Sequence, residues 1–439
     1  MTISPQKRDQ IIDALRRGTV PRSSLDAFAV GLERFEPAID EELRKVAAGG
    51  SVFKAVRGDY GCGKTFFSRW LADTARKMGF ATSEVQISET ETPLHRLETV
   101  YRRLNERLAT SDTPQGAFRN VVDGWFFTLE EDVLAEGAVD PNDSQKLLER
   151  STELLERRLA DVARTAPTFS AALRGYRRAQ VEGREAVAEG ILAWLSGQPN
   201  VSAEAKRYAG VKGDIDHFGA LNFLQGVLTI LRDSGHVGML VVLDEVETIQ
   251  RVRSDVRDKS LNALRQLIDE VDSGRFPGLH LVITGTPAFF DGPQGIQRLE
   301  PLAQRVHVDF QTDSRFDNPR AVQVRLPAFD LERLRLVGAR IRDVFAEHSS
   351  ARDRIVRLCD DTYVSQLADA VAGKLGGKVG VSPRIFLKKL VGDVLDRIDQ
   401  FDEFDPRRHY ALTVSEAELS PVERQAMGAD DVDEVELDL

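Results

Sequence analysis

Three predominantly apolar runs punctuate the chain: SVFKAVRG (Ser51–Gly58), GMLVVLD (Gly238–Asp244) and LHLVITG (Leu279–Gly285). Each ends on small or acidic residues, and helical periodicity separates them. Such runs predict strands buried on both faces of a parallel sheet. ATSEVQIS (Ala81–Ser88) is only half apolar and predicts a strand closer to an edge, with VQVRLPAFD (Val322–Asp330) as the last strand. From about residue 93 to 235 the pattern changes. LHRLETVYRRLNERL, SQKLLERSTELLERRLADVART and AVAEGILAWL place apolar residues at i, i+3, i+4, i+7. This segment is far too long for one crossover helix and predicts a helical insertion on an α/β core. Ala166–Pro167 and the stretch Gly197–Gly213 read as loops. Helical patterning returns from Leu331 to about Gln400 and predicts a separate C-terminal domain.

Composition narrows this picture. The chain has 439 residues, 42% hydrophobic and 29% charged, which is globular rather than disordered. No apolar run approaches the roughly 20 residues that span a bilayer, and MTISPQKRDQ lacks the apolar core of a secretory signal. Cys62 and Cys359 fit no metal-site spacing. A soluble cytoplasmic protein without membrane partners is expected. Net charge is -11, but six of those charges fall in DDVDEVELDL, which predicts a self-repelling, disordered acidic tail over 425–439. The remainder, -11 + 6 = -5, does not exclude DNA as a partner.

The sharpest chemistry is GDYGCGKT, comprising Gly58, Asp59, Tyr60, Gly61, Cys62, Gly63, Lys64 and Thr65. It fits G-x-x-x-x-G-K-[ST] between an apolar strand and the amphipathic FFSRWLADTARKMG, the context that motif requires. Its glycines let backbone N–H groups turn toward phosphate oxygens at the positive end of a helix. Lys64 is expected to neutralise the β/γ-phosphates, and the Thr65 hydroxyl to coordinate Mg²⁺. Cys62 reads as a small spacer, with a redox-sensitive thiol as the alternative.

GMLVVLDEVE then sets Asp244 and Glu245 at the end of a buried strand, where α/β sheets place their ligands. Asp244 is assigned to Mg²⁺ and Glu245 to polarising the attacking water. Glu245 is preferred over Glu247 because it directly follows the strand aspartate. Thr284, ahead of Thr286, ends the next strand; either it orients that water or senses the γ-phosphate, or it caps an ordinary turn. Arg305 in PLAQRV is placed to reach a neighbouring subunit's nucleotide. Arg384 in VGVSPRIFLKKL falls in the first turn of a helix that Ser382 caps and Pro383 opens. Fixed charge and forked donors suit both arginines to a transferring phosphoryl group, against the plain alternative of surface residues.

In this order, GDYGCGKT, LVVLDEVE, VITGT, PLAQRV and VSPRIFLKK resemble the AAA+ ATPases, and the S-P-R setting of Arg384 is similar to the origin-recognition branch. The flanking strings LRRGTVPRSSLDAFAVGLERF and NPRAVQVRLPAFDLERL resemble the BrxC/BrxD-type ATP-binding proteins of bacteriophage-exclusion (BREX) defence, with a length nearer BrxD than the much larger BrxC. The resemblance implies a P-loop NTPase (AAA+) core with a parallel sheet over 51–330, carrying the helical insertion. It also implies an N-terminal helical segment over 1–50, where Val20 and Pro21 lie against adenine, and a C-terminal helical lid over 331–424. ATP and Mg²⁺ are the implied cofactors, and other defence-system proteins, DNA and further copies of the chain through Arg305 the implied partners. The origin-recognition branch adds a winged-helix domain after the lid, for which the residues after Arg384 leave little room. Three readings follow: an ATP-hydrolysing motor or switch, a nucleotide-gated recruitment module with little turnover, and a DNA-binding regulator. The last would use RGYRRAQVEGR (Arg174–Arg184), a basic stretch with an interleaved tyrosine.

Overall fold

The computed structural model describes residues 3–137, 139–140, 142–374 and 383–414. The acidic tail expected over 425–439, and Ser382, lie outside the described residues. The fold is α/β, mostly helical, around a five-stranded parallel sheet. In chain order, α1 (Pro5–Arg16) and α2 (Glu36–Ala47) precede β1 (Val52–Arg57), α3 (Lys64–Lys77) and β2 (Ala81–Gln86). Eight helices follow: α4 (Leu97–Glu106), α5 (Phe118–Ala135), α6 (Ser144–Arg158), α7 (Ala160–Thr165), α8 (Pro167–Val181), α9 (Glu185–Leu195), α10 (Ala203–Ala209) and α11 (His217–Asp233). Then come β3 (Met239–Asp244), α12 (Ser254–Asp272), β4 (Leu279–Gly285), α13 (Pro287–Asp291), α14 (Glu300–Val306) and β5 (Gln323–Arg325). The C-terminal helices are α15 (Leu331–Ala346), α16 (Arg352–Leu358), α17 (Asp361–Lys374), α18 (Pro383–Lys388), which runs on through a π-helical segment, Lys389–Leu395, into Asp396–Gln400, and a single turn, Pro406–His409.

The sheet order is β2-β3-β4-β1-β5, every pair parallel. Strands β3 and β4 are buried along their whole length, as their apolar runs require. Their side chains divide by parity. Met239, Val241, Leu243, Leu279, Leu281 and Ile283 face a core shared with the helices between β2 and β3. Leu240, Val242 and Val282 face a second core built from α1, α2, α3 and the C-terminal helices. Because all strands run the same way, their C-terminal ends open at one edge of the sheet. Register sets Val56 beside Thr284 and Leu243 beside Ile283, so the loops after β1, β3 and β4 converge there.

β2 lies at an edge, but its N–H and C=O at Thr82 pair with Ala109 at 2.8 Å, which covers part of that edge. β5 is shorter than the expected strand over Val322–Asp330. Leu326 N still donates to Arg57 O at 2.8 Å, but Pro327 has no N–H to continue the ladder, and Asp330 turns the chain by capping α15. The stretch Gly197–Gly213, expected to be loop, contains α10. Ser202 caps it by accepting from Ala205 N at 3.2 Å, and its alanines sit on glycines of α8 and α9. At Ala166–Pro167 the chain breaks only for the junction between α7 and α8.

Candidate functional site

The loop after β1 is shaped by its glycines. A Cβ on Gly58 would meet Cys62 Sγ at 2.4 Å, and Gly63, the residue before α3, has φ +98°. Only glycine tolerates both constraints without strain. The turn aims the first N–H groups of α3, which have no partner within the helix, at the open side of the loop. Lys64 is buried and folds back over that loop. Its Nζ donates to Gly58 O at 2.8 Å and Asp59 O at 3.3 Å, lies 3.7 Å from Glu247 Oε1 and sits under the Tyr60 ring.

Asp244 joins the two halves of the site. Thr65 Oγ1 donates to its Oδ2 at 3.0 Å, and Thr284 Oγ1 donates to its Oδ1. Glu245 has φ +60°, a left-handed conformation that a residue with a side chain adopts at a cost of about 1–3 kcal/mol. Its N–H is held by Asp244 Oδ1 at 3.1 Å and Thr284 Oγ1 at 3.2 Å, which supports the conformation. Gln86 Nε2 donates to Glu245 Oε2 at 2.7 Å. The reversal at Glu245 also turns the following 3-10 helix, Val246–Arg251, so that Glu247 faces back toward Lys64.

A cavity of about 280 Å³ runs along this edge. Tyr60, Gly61, Cys62, Gly63, Lys64 and Thr65 line it, with Asp244, Glu245 and Glu247 at the same end. Val20, Pro21, Phe28 and Phe329 give the other end an apolar surface, and Pro383 and Arg384 close it from α18. Gly58 and Asp59 contribute through their carbonyls and do not line it. The loop carrying Val20 is tied to α3, since Arg69 on that helix donates to Val20 O. The donor set fits a nucleoside triphosphate: backbone N–H groups and an ammonium for phosphates, a hydroxyl and carboxylate pair for a divalent cation, and an apolar slot for a base.

Several expected residues lie elsewhere. Thr284 is fully buried and does not line the cavity, so it reaches the site through Asp244 and Glu245. Thr286 is also buried, at the start of α13. Arg305, expected to act on a neighbouring subunit's nucleotide, does not line this chain's own cavity. It lies exposed on α14, donates to Pro301 O at 2.6 Å and pairs with Asp269. Burial pushes the Cys62 thiol up to about 11, which disfavours the thiolate that a redox-sensitive site needs. In the basic stretch, Tyr176 is buried and donates to Asp123 at 2.7 Å, Arg174 and Arg177 pair with Glu156 and Glu130, and Arg178 donates to Tyr208 O. That stretch offers no stacking tyrosine.

Gln86 and Arg333, the latter lining the cavity from α15, were not foreseen. Gln86 had a readable signal, a polar residue ending the strand next to the acidic one. Arg333 had none beyond its place in a helix.

The fold and this edge define an α/β protein whose phosphate-type loop and acidic strand end share one cavity. The model of one family, BREX system ATP-binding protein BrxC/D, matches residues 3–414, and the chain belongs to that family. It is thus an ATP-binding protein of a BREX phage-defence system, which makes other proteins of that system its partners. No curated protein matches the chain. Among the described residues, no helix is long and apolar enough to cross a membrane.

Proposed function

We propose that the chain is a Mg²⁺-dependent, cytoplasmic ATPase of the AAA+ type, with a core over 51–330, an insertion over about 93–235 and a lid over 331–424. The observation that carries this reading is Asp244, bridged on one side by the phosphate-loop hydroxyl of Thr65 and on the other by Thr284. A lone phosphate loop binds; one joined to an acidic strand end is equipped to hydrolyse. The sheet order β2-β3-β4-β1-β5, the loop motif and the arginine opening α18 support the AAA+ assignment.

Each residue then has a task. The α3 N-terminus and Lys64 bind the phosphates, while Val20 and Pro21 bound the base. Thr65 and Asp244 would hold Mg²⁺, which would supply charge neutralisation to the phosphates. Glu245 takes the proton of the attacking water, and Arg384 balances charge on the transferring phosphoryl group. The hydrogen bond that Gln86 donates to Glu245 Oε2 tethers this carboxylate, and its release lets Glu245 turn to that water. That tether favours, as a second reading, a switch whose turnover stays low until a partner frees the glutamate.

Nucleotide binding and phosphate release, measured on the full chain with Mg²⁺, test the proposal. Lys64→Ala is expected to lose nucleotide, and Glu245→Gln to retain ATP while hydrolysis falls by about a hundredfold or more. Absence of nucleotide binding by the wild type, even with DNA and partner proteins present, would sink it.

A further inference from the structure

Glu247 is only 4% exposed, and neither of its carboxylate oxygens has a hydrogen-bond partner. Lys64 lies beside it at 3.7 Å, while Asp244 and Glu245 add negative charge nearby. A carboxylate buried without hydrogen bonds is costly, and a fold that keeps one at the wall of its binding cavity needs a reason for it. Packing does not supply that reason, because an uncharged side chain of the same shape would fill the space without the penalty.

Lys64 clarifies what the carboxylate does. Its ammonium has three donors, and two are spent on the carbonyls of Gly58 and Asp59. Glu247 faces the remaining charge at a distance longer than a hydrogen bond, close enough for electrostatics and too far for a fixed contact. The Tyr60 ring is centred 5.0 Å from Lys64 Nζ and presents its electron-rich face to the ammonium.

We propose that Glu247 is a displaceable counter-ion of Lys64, a carboxylate that nucleotide phosphates must outcompete and that repels them once bound. The proposal rests on the reading of this cavity as a nucleotide site. It assigns Glu247 a positioning role: it sets how tightly nucleotide is held and how readily product leaves, without touching the reacting atoms. Burial and the neighbouring carboxylates also push its carboxyl above the ordinary range, with Lys64 opposing. The carboxylate therefore depends on Lys64 for its charge balance.

The sign of the effect separates this role from the others. Loss of a structural residue, or of a group that helps bind phosphate, weakens nucleotide affinity. Loss of a competing counter-ion strengthens it. Calorimetric titration of the full chain with MgADP and with a non-hydrolysable MgATP analogue makes the comparison without turnover. Glu247→Gln is expected to bind both on the order of tenfold more tightly than wild type. Unchanged or weaker binding by Glu247→Gln, with wild type binding normally, overturns the counter-ion role and leaves the ATPase reading standing. A drop in hydrolysis at unchanged affinity overturns it too, by pointing to a base. If the wild type binds neither nucleotide, the ATPase reading fails and the inference fails with it. Should Glu247→Gln not fold, Glu247→Asp decides. Drawing the carboxylate back by one methylene is expected to tighten binding two- to threefold, by the same distance dependence, and no tightening overturns the proposal.

Discussion

Thr284 shows how one hydroxyl serves a site that it does not touch. It donates to Asp244, accepts from Glu245 N–H at 3.2 Å and is sealed from the cavity. Thr284→Val keeps the shape and removes both bonds. The buried Asp244 oxygen then loses a donor, which is expected to lower stability by about 1–2 kcal/mol in a denaturant melt. The left-handed turn at Glu245 loses a support as well. Steady-state ATPase kinetics are expected to show kcat falling roughly ten- to hundredfold with KM nearly constant, because misplacement by an ångström is enough for that. An unchanged kcat would mean that Asp244 alone fixes the turn. Part of this site could be read from the residues themselves. The phosphate loop and the D-E pair carry fixed spacings, so Lys64, Thr65, Asp244 and Glu245 could be named. Glu247 could be named but not given a role, Gln86 left only the trace of a polar strand end, and Arg333 depends on where separate elements meet, which no spacing records.

Among the elements, legibility followed burial. β1, β3 and β4 lie between two helical layers, so both parities are largely apolar, most completely in β3, while β1 also buries Lys54 and Arg57. β5 holds one side of the sheet with three residues, and an apolar run followed by proline overstates its length. α10 was hidden for a different reason. A seven-residue helix of small and polar residues has little apolar stripe, and its cue is Ser202 ahead and Gly210 behind. What holds it is close approach. A Cβ on Gly175 would lie 2.8 Å from Ala209 Cα, and one on Gly190 would lie 2.7 Å from Ala205 Cβ. The same packing economy operates on α11, where a Cβ on Gly226 would meet Phe169 at 2.4 Å. Gly226→Ala is therefore expected to destabilise the protein by about 1–3 kcal/mol despite alanine's better helix propensity, read as a lowered denaturation midpoint. A stabilised variant would show that the Phe169 ring moves aside freely.

At the scale of the whole molecule, Arg305 bears on assembly. Arg305 is exposed on α14, away from this chain's cavity, and its partner Asp269 is an exchangeable surface pair. If it completes a neighbour's site, Arg305→Ala alone is expected to lower hydrolysis at least about a thousandfold, the usual weight of such an arginine. Mixing separates this from a local defect. Lys64→Ala/Arg305→Ala subunits, silent themselves, are expected to reduce wild-type turnover more steeply than Lys64→Ala subunits at equal ratio. Matching curves would confine Arg305 to its own subunit.

The first helix and the last ones are fastened together. Arg16 on α1 grips Asp396 with two hydrogen bonds, at 2.7 and 2.8 Å, and Arg8 reaches Phe345 O on α15. The loop that carries Val20 and Pro21 leaves α1 directly, and a Cβ on Gly18 would lie 3.7 Å from Arg384 Cγ. The apolar end of the cavity is thus assembled from opposite ends of the described chain. Synthesis runs in one direction, so the phosphate loop emerges from the ribosome long before its cavity has a second wall. If this cavity is the nucleotide site proposed above, a chain that stops before residue 383 lacks that wall and is expected to bind MgADP more weakly than the full chain in a calorimetric titration.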